Sequence, residues 1–192
     1  MAIKRKIVLF EDVLKDLLGW FKSSPGEFLI IGGIAVSLLT HPRTTQDIDA
    51  LGLLDDSQWE IFLKNGKRFG FEARIKNALD FAHKNRVLLL RHIKSGVGID
   101  ISFGYLPFEE ESIKRRTFHK IGTLKIPLPT PEDLIIMKMI AHRPQDMIDV
   151  KTILQTYPQL DHKRIQKWVK EFSDALENPE ILFDLKKMMK KI

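Results

Sequence analysis

Thr45-Gln46-Asp47-Ile48-Asp49-Ala50-Leu51 contains two carboxylates that are separated by one apolar residue. If Ile48 and Leu51 point into a core, the alternation of a β-strand turns Asp47 and Asp49 together toward the opposite face. Mg²⁺ is commonly held by one or two protein carboxylates and keeps its other positions for water and phosphate oxygens. The segment therefore predicts either a strand that binds Mg²⁺ and a triphosphate, or an edge strand with two solvated acids.

The composition is typical of a globular protein. Its 192 residues are 44% hydrophobic and 29% charged, which predicts one buried core with added helices. No apolar run is long enough to span a bilayer, and the four apolar residues after the basic start are too few for a signal peptide. The absence of cysteine excludes disulfides, thiol catalysis and Cys-ligated zinc. We therefore expect a cytoplasmic protein with no membrane partner.

The charge balance is basic. The formal net charge is +6 and the pI is near 9.4, which favours a polyanionic partner such as RNA. Clusters of Lys and Arg occur at residues 4–6, 114–116, 186–187 and 190–191. Each cluster by itself is more typical of a solvated surface.

Apolar periodicity predicts a mixture of helices and strands. Helical spacing predicts helices over residues 11–22, 34–39 and 57–69, and strand-like runs occur at 28–31, 45–51, 87–93 and 97–103. Lys94-Ser95-Gly96 predicts a tight turn between the last two strands, and residues 118–121 and 124–126 predict a second strand pair.

After residue 128 the pattern becomes helical. Thr130-Pro131-Glu132-Asp133 is a strong helix start, with a capping Thr, Pro at the first helical position and acids in the first turn. Further helices are expected from Pro144, along an apolar stripe at 165–176 and from Pro179. We expect a catalytic core at residues 1–128 and a helical C-terminal region at 129–192 that packs on it.

Two further features accompany the acidic pair. Gly32-Gly33 lies between a predicted strand and a predicted helix, and without Cβ atoms this turn can bring backbone N–H groups against a phosphate. The alternative is a tight turn that needs positive φ. Asp100 lies between Ile99 and Ile101 and is turned away from the face that they bury. It is either an exposed strand acid or a third carboxylate that accepts a proton or holds a metal.

Together these residues resemble the nucleotidyltransferases of the DNA-polymerase-β superfamily, and among them the AbiEii-like toxins of type IV toxin–antitoxin systems. The resemblance covers roughly residues 28–155. It rests on Gly32-Gly33, Arg43-Thr44-Thr45-Gln46-Asp47-Ile48-Asp49, Asp100 and Pro131-Glu132-Asp133-Leu134, followed by Lys138, Ala141, Arg143 and Asp146.

This resemblance implies an α/β (α+β) fold, a mixed β-sheet flanked by helices, with a helical C-terminal part. It implies that Asp47, Asp49 and Asp100 are catalytic residues and metal ligands around Mg²⁺ and a nucleoside triphosphate. The nucleotide-binding residues that it implies are Gly32, Gly33, Arg43, Thr45, Lys138 and Asp146. The wider superfamily often has Gly-Ser at the glycine pair, so backbone amides or Ser37 would have to replace that serine hydroxyl.

Some of these residues have local interpretations as well. The neighbours of Lys138 on its predicted helix are largely apolar, so the ammonium group has to find an anion or reach outward. Arg143 and Asp146 flank Pro144 at a helix start, where an ion pair or a cap explains them as well as a substrate contact does.

The function predicted from sequence is Mg²⁺-dependent transfer of NMP from an NTP to an acceptor hydroxyl. The basic balance favours RNA, such as a tRNA end, while a protein hydroxyl and a small molecule stay open as acceptors. A toxin of this kind would have a cognate antitoxin as a partner. The alternatives are a catalytically silent nucleotide- or RNA-binding relative and a small-molecule enzyme of the aminoglycoside nucleotidyltransferase type.

Overall fold

The computed structural model describes residues 2–190, and the side chains of residues 10–190. Its helices are α1 (Ala2–Lys22), α2 (Gly32–Leu39), α3 (Trp59–Gly66), α4 (Ala78–Asn85), α5 (Pro107–Lys114), α6 (Pro131–Ala141), α7 (Pro144–Thr156), α8 (His162–Ala175) and α9 (Pro179–Met189). Its strands are β1 (Glu27–Ile31), β2 (Asp47–Leu53), β3 (Phe71–Ala73), β4 (Val87–His92), β5 (Gly98–Phe103), β6 (Thr117–Ile121) and β7 (Leu124–Leu128). The basic residues at 4–6 and Lys191 lie outside the described side chains.

The first five strands form one mixed sheet in the order β1-β2-β5-β4-β3. Strands β2 and β5 run parallel, and the other neighbours in this sheet are antiparallel. Strands β6 and β7 form a separate antiparallel hairpin. The predicted mixed α/β fold with a helical C-terminal part is therefore confirmed.

The two faces of strand β2 have different environments. Ile48 and Ala50 are fully buried in the large hydrophobic core, which also contains Trp20 and Phe62. Leu51 is buried in a small separate cluster with other residues, and by the alternation of the strand it shares the face of the two aspartates. The expectation that Leu51 points away from the carboxylates was wrong. That face is half covered by protein instead of being fully open to solvent.

Several element boundaries differ from the sequence prediction. Helix α1 begins at Ala2 instead of residue 11, and the helix predicted over 57–69 is α3 with a 3₁₀ turn at each end. The sequence pattern did not predict β3, α4 or α5. The hairpin of β4 and β5 has the predicted tight turn, in which Gly96 takes a φ of +71°.

The C-terminal helices begin as their capping residues predict. The Thr130 hydroxyl accepts a hydrogen bond from the backbone N–H of Asp133 at 3.3 Å, at the start of α6. One hydrophobic cluster contains both Ile48 of the sheet and Ile165 of α8. The division into a core at 1–128 and a helical region at 129–192 stays a prediction. Within residues 2–190, no helix has the length and apolar character that crossing a membrane requires.

Candidate active site

The parallel register of β2 and β5 brings three carboxylates together. Asp49 lies directly opposite Asp100, and Asp47 lies opposite Gly98. Residues directly opposite one another point to the same side of a sheet, and Asp47 and Asp49 share a side by alternation. A Cβ atom at Gly98 would overlap the Asp47 carboxylate, so glycine makes the room that this carboxylate occupies. We call Asp47, Asp49 and Asp100 the acid face.

The Gly32-Gly33 turn lies against this acid face. Strand β1 leads directly into α2 through Gly32, whose φ is +64°. A Cβ atom at Gly32 would overlap the Asp49 carboxylate, and one at Gly33 would lie 2.7 Å from the Thr45 hydroxyl oxygen. Both close approaches require glycine, and they bring the first N–H groups of a helix beside the carboxylates.

Burial and mutual repulsion shape the charge of the acid face. Burial raises the pKa of Asp49 above its usual value of 3.8 and Asp47 adds to the rise, while the positive charges of Lys138 and Arg143 oppose it. Burial also raises the pKa of Asp100, and its two neighbouring carboxylates add to the rise against the pull of Arg74. Each of these carboxylates is therefore harder to ionise than a solvated one.

One member of the acid face has an ion-pair partner among the described side chains. Arg74 donates a hydrogen bond to Asp100, and both side chains are 32% exposed. Asp47 and Asp49 form no ion pair with any side chain of residues 10–190. Two adjacent carboxylates without a counter-ion are electrostatically unfavourable, and a bound cation would relieve their repulsion.

The donor set of the acid face fits a hard divalent cation. Among the described residues, no group of three or more His, Asp and Glu side chains is arranged to enclose a metal ion by itself. Mg²⁺ does not need such a group, because one or two carboxylates hold it while water and substrate phosphates complete its coordination. Asp47 and Asp49 offer carboxylate oxygens of this kind on a half-covered face. Their role as metal ligands stays a prediction.

A network of opposite charges lies beside the acid face, buried at Lys138, Asp146 and Asp149, while the Arg143 side chain is 71% exposed. The ammonium nitrogen of Lys138 is 2.7 Å from Asp146 Oδ1 and 3.0 Å from Asp149 Oδ2. Arg43 Nη2 is 2.9 Å from Asp149 Oδ2, and Arg143 Nε is 2.6 Å from Asp146 Oδ2. We call Arg43, Lys138, Arg143, Asp146 and Asp149 the buried ion-pair cluster. It ties the loop before β2 to helices α6 and α7.

Three of the predicted nucleotide-binding residues, Arg43, Lys138 and Asp146, therefore contact one another through this cluster. The Lys138 side chain is 6% exposed and finds its anions within the protein. Arg143 is also positioned by Asp146, whose carboxylate accepts hydrogen bonds from its guanidinium and its backbone N–H. The positive charges of Lys138 and Arg143 still act on Asp49. The cluster thus lies near enough to influence a ligand at the acid face.

Thr45 and Ser37 shape the loop before β2. The Thr45 hydroxyl donates to the backbone carbonyl of Asp47 at 3.2 Å. The Ser37 hydroxyl lies 3.3 Å from the backbone N of Arg43 and 3.4 Å from its carbonyl oxygen. The Ser37 hydroxyl is therefore already hydrogen-bonded to this loop.

Sequence reasoning missed Asp149 and Arg74. Asp149 lies one helical turn after Asp146 on α7. The signal for it was Lys138, a lysine in an apolar stretch of α6, because a buried ammonium group requires acidic partners. Arg74 lies in the segment after β3, a strand of three residues that gave no periodic signal. The register of β3 with β4 brings Arg74 within reach of Asp100.

A cavity of about 320 Å³ lies behind the loop of residues 42–45 instead of over the carboxylates. Apolar side chains of α1, α2 and the β6–β7 turn form most of its wall, and none of the acid-face residues lines it. Two of the predicted nucleotide-binding residues, Arg43 and Thr45, do line it.

Comparison with known proteins identifies one family. The family model described as nucleotidyl transferase AbiEii toxin, type IV TA system, matches residues 17–191. A search of curated protein sequences found no significant match.

Solved structures with a similar fold are nucleotidyltransferases or resemble them. An antigenic nucleotidyltransferase-like protein from Paracoccidioides brasiliensis is 19% identical over 91% of each chain, with a TM-score of 0.55. The antibiotic-resistance factor ANT(2'')-Ia is 12% identical over 92% of this chain and 96% of its own, with a TM-score of 0.60. The lincosamide antibiotic adenylyltransferase LnuA, solved with lincomycin, is 15% identical over 77% and 97%, with a TM-score of 0.52. At these identities the likeness is one of fold.

Proposed function

This chain belongs to the nucleotidyltransferase AbiEii toxin family of type IV toxin–antitoxin systems, and from that premise we propose that its acid face transfers NMP from an NTP to an acceptor hydroxyl with Mg²⁺. The observation that carries the proposal is the β2–β5 register, which sets Asp100 directly beside Asp49 and on the face of Asp47. Mg²⁺ bound by Asp47 and Asp49 would neutralise charge on the phosphates.

In the proposed reaction, the acceptor oxygen forms a bond with the α-phosphorus of the NTP. The bond from that phosphorus to the oxygen that bridges the α- and β-phosphates breaks, and pyrophosphate leaves with the electron pair. The acceptor hydroxyl gives its proton to Asp100. The raised pKa of this carboxyl brings it nearer to the working pH, which favours proton acceptance, and Arg74 orients it.

The phosphates of the NTP have two sources of positive potential beside the acid face. The first N–H groups of α2 have no carbonyl partner within the helix, and the Gly32-Gly33 backbone lies against Asp49. The buried ion-pair cluster contains three cations, Arg43, Lys138 and Arg143, and two acids, so it carries one formal positive charge in excess. Both features support binding of a polyanion at this place.

We propose RNA as the acceptor, because the net charge of +6 favours a polyanion. The protein would act in the cytoplasm, where triphosphates and RNA are present, as the toxin of a pair with a cognate antitoxin. A small-molecule acceptor is the second candidate, favoured by the fold shared with an antibiotic-resistance factor and a lincosamide adenylyltransferase.

The test is incubation of the purified protein with each α-³²P-labelled NTP, Mg²⁺ and total RNA, beside an Asp49→Asn variant. Label in RNA that disappears in the variant and in EDTA supports the proposal. Label in a protein or small-molecule fraction instead would show that the acceptor is not RNA but a protein or a small molecule. Absence of label from every fraction, although NTP binds, would identify a silent nucleotide-binding relative.

A further inference from the structure

The β6–β7 hairpin presents a basic and aromatic outer face. The register pairs Phe118 with Pro127 and Lys120 with Lys125. These four residues point away from the protein, because Ile126 on the opposite face is fully buried, and Phe118 is 60% exposed. We call Phe118, Lys120, Lys125 and Pro127 the hairpin strip. The Cα atoms of Phe118 and Lys120 are about 7 Å apart along the strand, so the ring and the two lysines lie on one face.

The two lysines of the hairpin strip are a like-charged pair directly across a ladder, which is unfavourable without a counter-ion. Neither forms an ion pair with any described side chain, and residues 112–130 contain no Asp or Glu. Residues 1–9 and 191–192, whose side chains are not described, contain no acidic side chain either. Among the described residues, this pair is therefore a place of uncompensated positive charge that an external anion could balance.

The basic run just before the strip behaves differently. Lys114, Arg115 and Arg116 each have an acidic partner, at 3.7, 3.4 and 2.8 Å respectively. These three side chains therefore have anionic partners within the fold. The contrast leaves Lys120 and Lys125 as the uncompensated positive charges of the segment.

Lysines on an edge strand can also protect it against pairing with another strand. That role does not explain an exposed Phe118 in line with them. An aromatic ring beside lysines is the combination with which proteins bind single-stranded nucleic acid, since an unpaired base stacks on the ring while the phosphates meet the ammonium groups. A base inside a duplex is already stacked, so the strip favours a single strand.

The hairpin lies against the loop that leads into β2. Ile121 and Leu124, the strand residues that flank its turn, lie on the inner face of the hairpin and line the same cavity as residues 42–45. We propose that the hairpin strip binds a single-stranded segment of the RNA acceptor and guides it toward the acid face. This inference rests on the RNA transfer proposed above and adds the surface that selects the acceptor.

The test is fluorescence anisotropy of the full-length protein with a labelled single-stranded RNA oligonucleotide, across a salt series and without NTP. Lys120→Gln with Lys125→Gln should lower affinity and reduce the slope of log K against log salt by about 1.4, which is about 0.7 for each phosphate that a lysine no longer neutralises. Lys64→Gln with Lys67→Gln is the matched control, because it removes the same charge from two exposed helix lysines that form no ion pair among the described residues. An equal loss of RNA affinity in both double variants would show that only the net charge matters, and it would overturn the proposal.

The aromatic residue of the hairpin strip is tested with its own variant and control. Phe118→Ala should weaken binding to the single strand by at least about fivefold, the lower limit for loss of one stacked base. Phe183→Ala removes a ring that is 65% exposed on α9 and should leave binding unchanged. Unchanged affinity in Phe118→Ala, or binding to duplex RNA as tight as to the single strand, contradicts the proposal.

The two proposals fail separately. If wild-type protein labels RNA and the lysine variant labels it with an unchanged KM for RNA, the hairpin strip is wrong and the transferase assignment stands. If RNA binds through the strip but is never labelled, the acceptor assignment is wrong and the binding surface stands.

Discussion

The acid face and the buried ion-pair cluster lie side by side but differ in whether their carboxylates have cationic partners. In the cluster, Asp146 and Asp149 each contact two cationic side chains at 2.6–3.0 Å. On the acid face, Asp47 and Asp49 have no ion-pair partner among the described residues. The carboxylates of the cluster therefore have cationic partners, whereas within residues 10–190 only Asp100 on the acid face has one, Arg74.

This difference separates a scaffold from a binding surface. Carboxylates that are already neutralised by lysine and arginine hold elements together, and removal of one leaves a buried charge uncompensated. Carboxylates that are crowded and unpaired destabilise the empty protein and can be neutralised by a ligand. Substitutions in the cluster should therefore affect folding, and those on the acid face should affect activity.

The largest effect is expected for Asp49→Asn. Loss of a charge that stabilises the reacting phosphate should lower transfer by roughly 10³-fold, about 4 kcal/mol of transition-state stabilisation. The free energy of unfolding should not fall, because the variant relieves repulsion. Initial rates and urea denaturation measure the two quantities. Asp55→Asn, at an exposed acid that caps a 3₁₀ turn, is the control for activity. A loss of less than tenfold in Asp49→Asn would remove Asp49 from the site.

Asp149→Ala should have the opposite pattern. It removes the partner of both Lys138 and Arg43 in a buried setting, so the free energy of unfolding should fall by about 3–5 kcal/mol. Asp174→Ala breaks the exposed pair with Lys170 and should cost less than about 1 kcal/mol. Equal losses in urea denaturation would show that the cluster does not stabilise the fold.

Gly32→Ala should lower both the stability and the transfer rate, each by less than the substitutions above. Alanine at a φ of +64° costs about 1–2 kcal/mol, and its Cβ also displaces the Asp49 carboxylate. We expect that stability loss together with at least a tenfold loss of transfer. Gly96→Ala has a similar φ of +71° with no atom within 4 Å of the new Cβ, so it should lose stability alone. If both variants keep full activity, the close approach at Gly32 has no functional role.

The smallest effects are those of pH on the protein without added divalent ions. The pKa of Asp49 is raised above 3.8, so its contribution to stability is present below that value and is lost as the pH rises through the raised pKa. The pKa of Asp146 is lowered by its bonds to Arg143 and Lys138 against the effect of burial, so its contribution is present above 3.8 and is lost as the pH falls.

Urea midpoints between about pH 3 and about pH 7 measure this contrast. Relative to wild type, Asp49→Asn should become more stable toward neutral pH, whereas Asp146→Asn should become less stable. Parallel curves for the two variants would contradict opposite electrostatic environments.

The acid face could be anticipated from sequence because strand alternation is a local rule. The alternation of β2 placed Asp47 and Asp49 on one face, and the same rule turned Asp100 away from its apolar neighbours. Its register against Asp49 required the fold, since β2 and β5 are far apart in the chain. The orientation of Leu51 was predicted wrongly, because the face that carries the acids also carries a small apolar cluster.

The buried ion-pair cluster could be anticipated only in part. The apolar surroundings of Lys138 showed that it needed an anion, but Arg43 and Asp149 are 106 residues apart and their contact depends on how α7 packs against α2. The elements missed, β3 and α5 among them, are short and have few apolar repeats. Their placement depends on tertiary contacts more than on local pattern.

The most direct test of the difference between the two regions is Mn²⁺ binding, followed by electron paramagnetic resonance, in the presence of a non-hydrolysable NTP analogue. The acid face should hold the ion, so binding should be lost in Asp49→Asn and retained in Asp55→Asn. Mn²⁺ bound with equal affinity by Asp49→Asn and wild type would contradict this account.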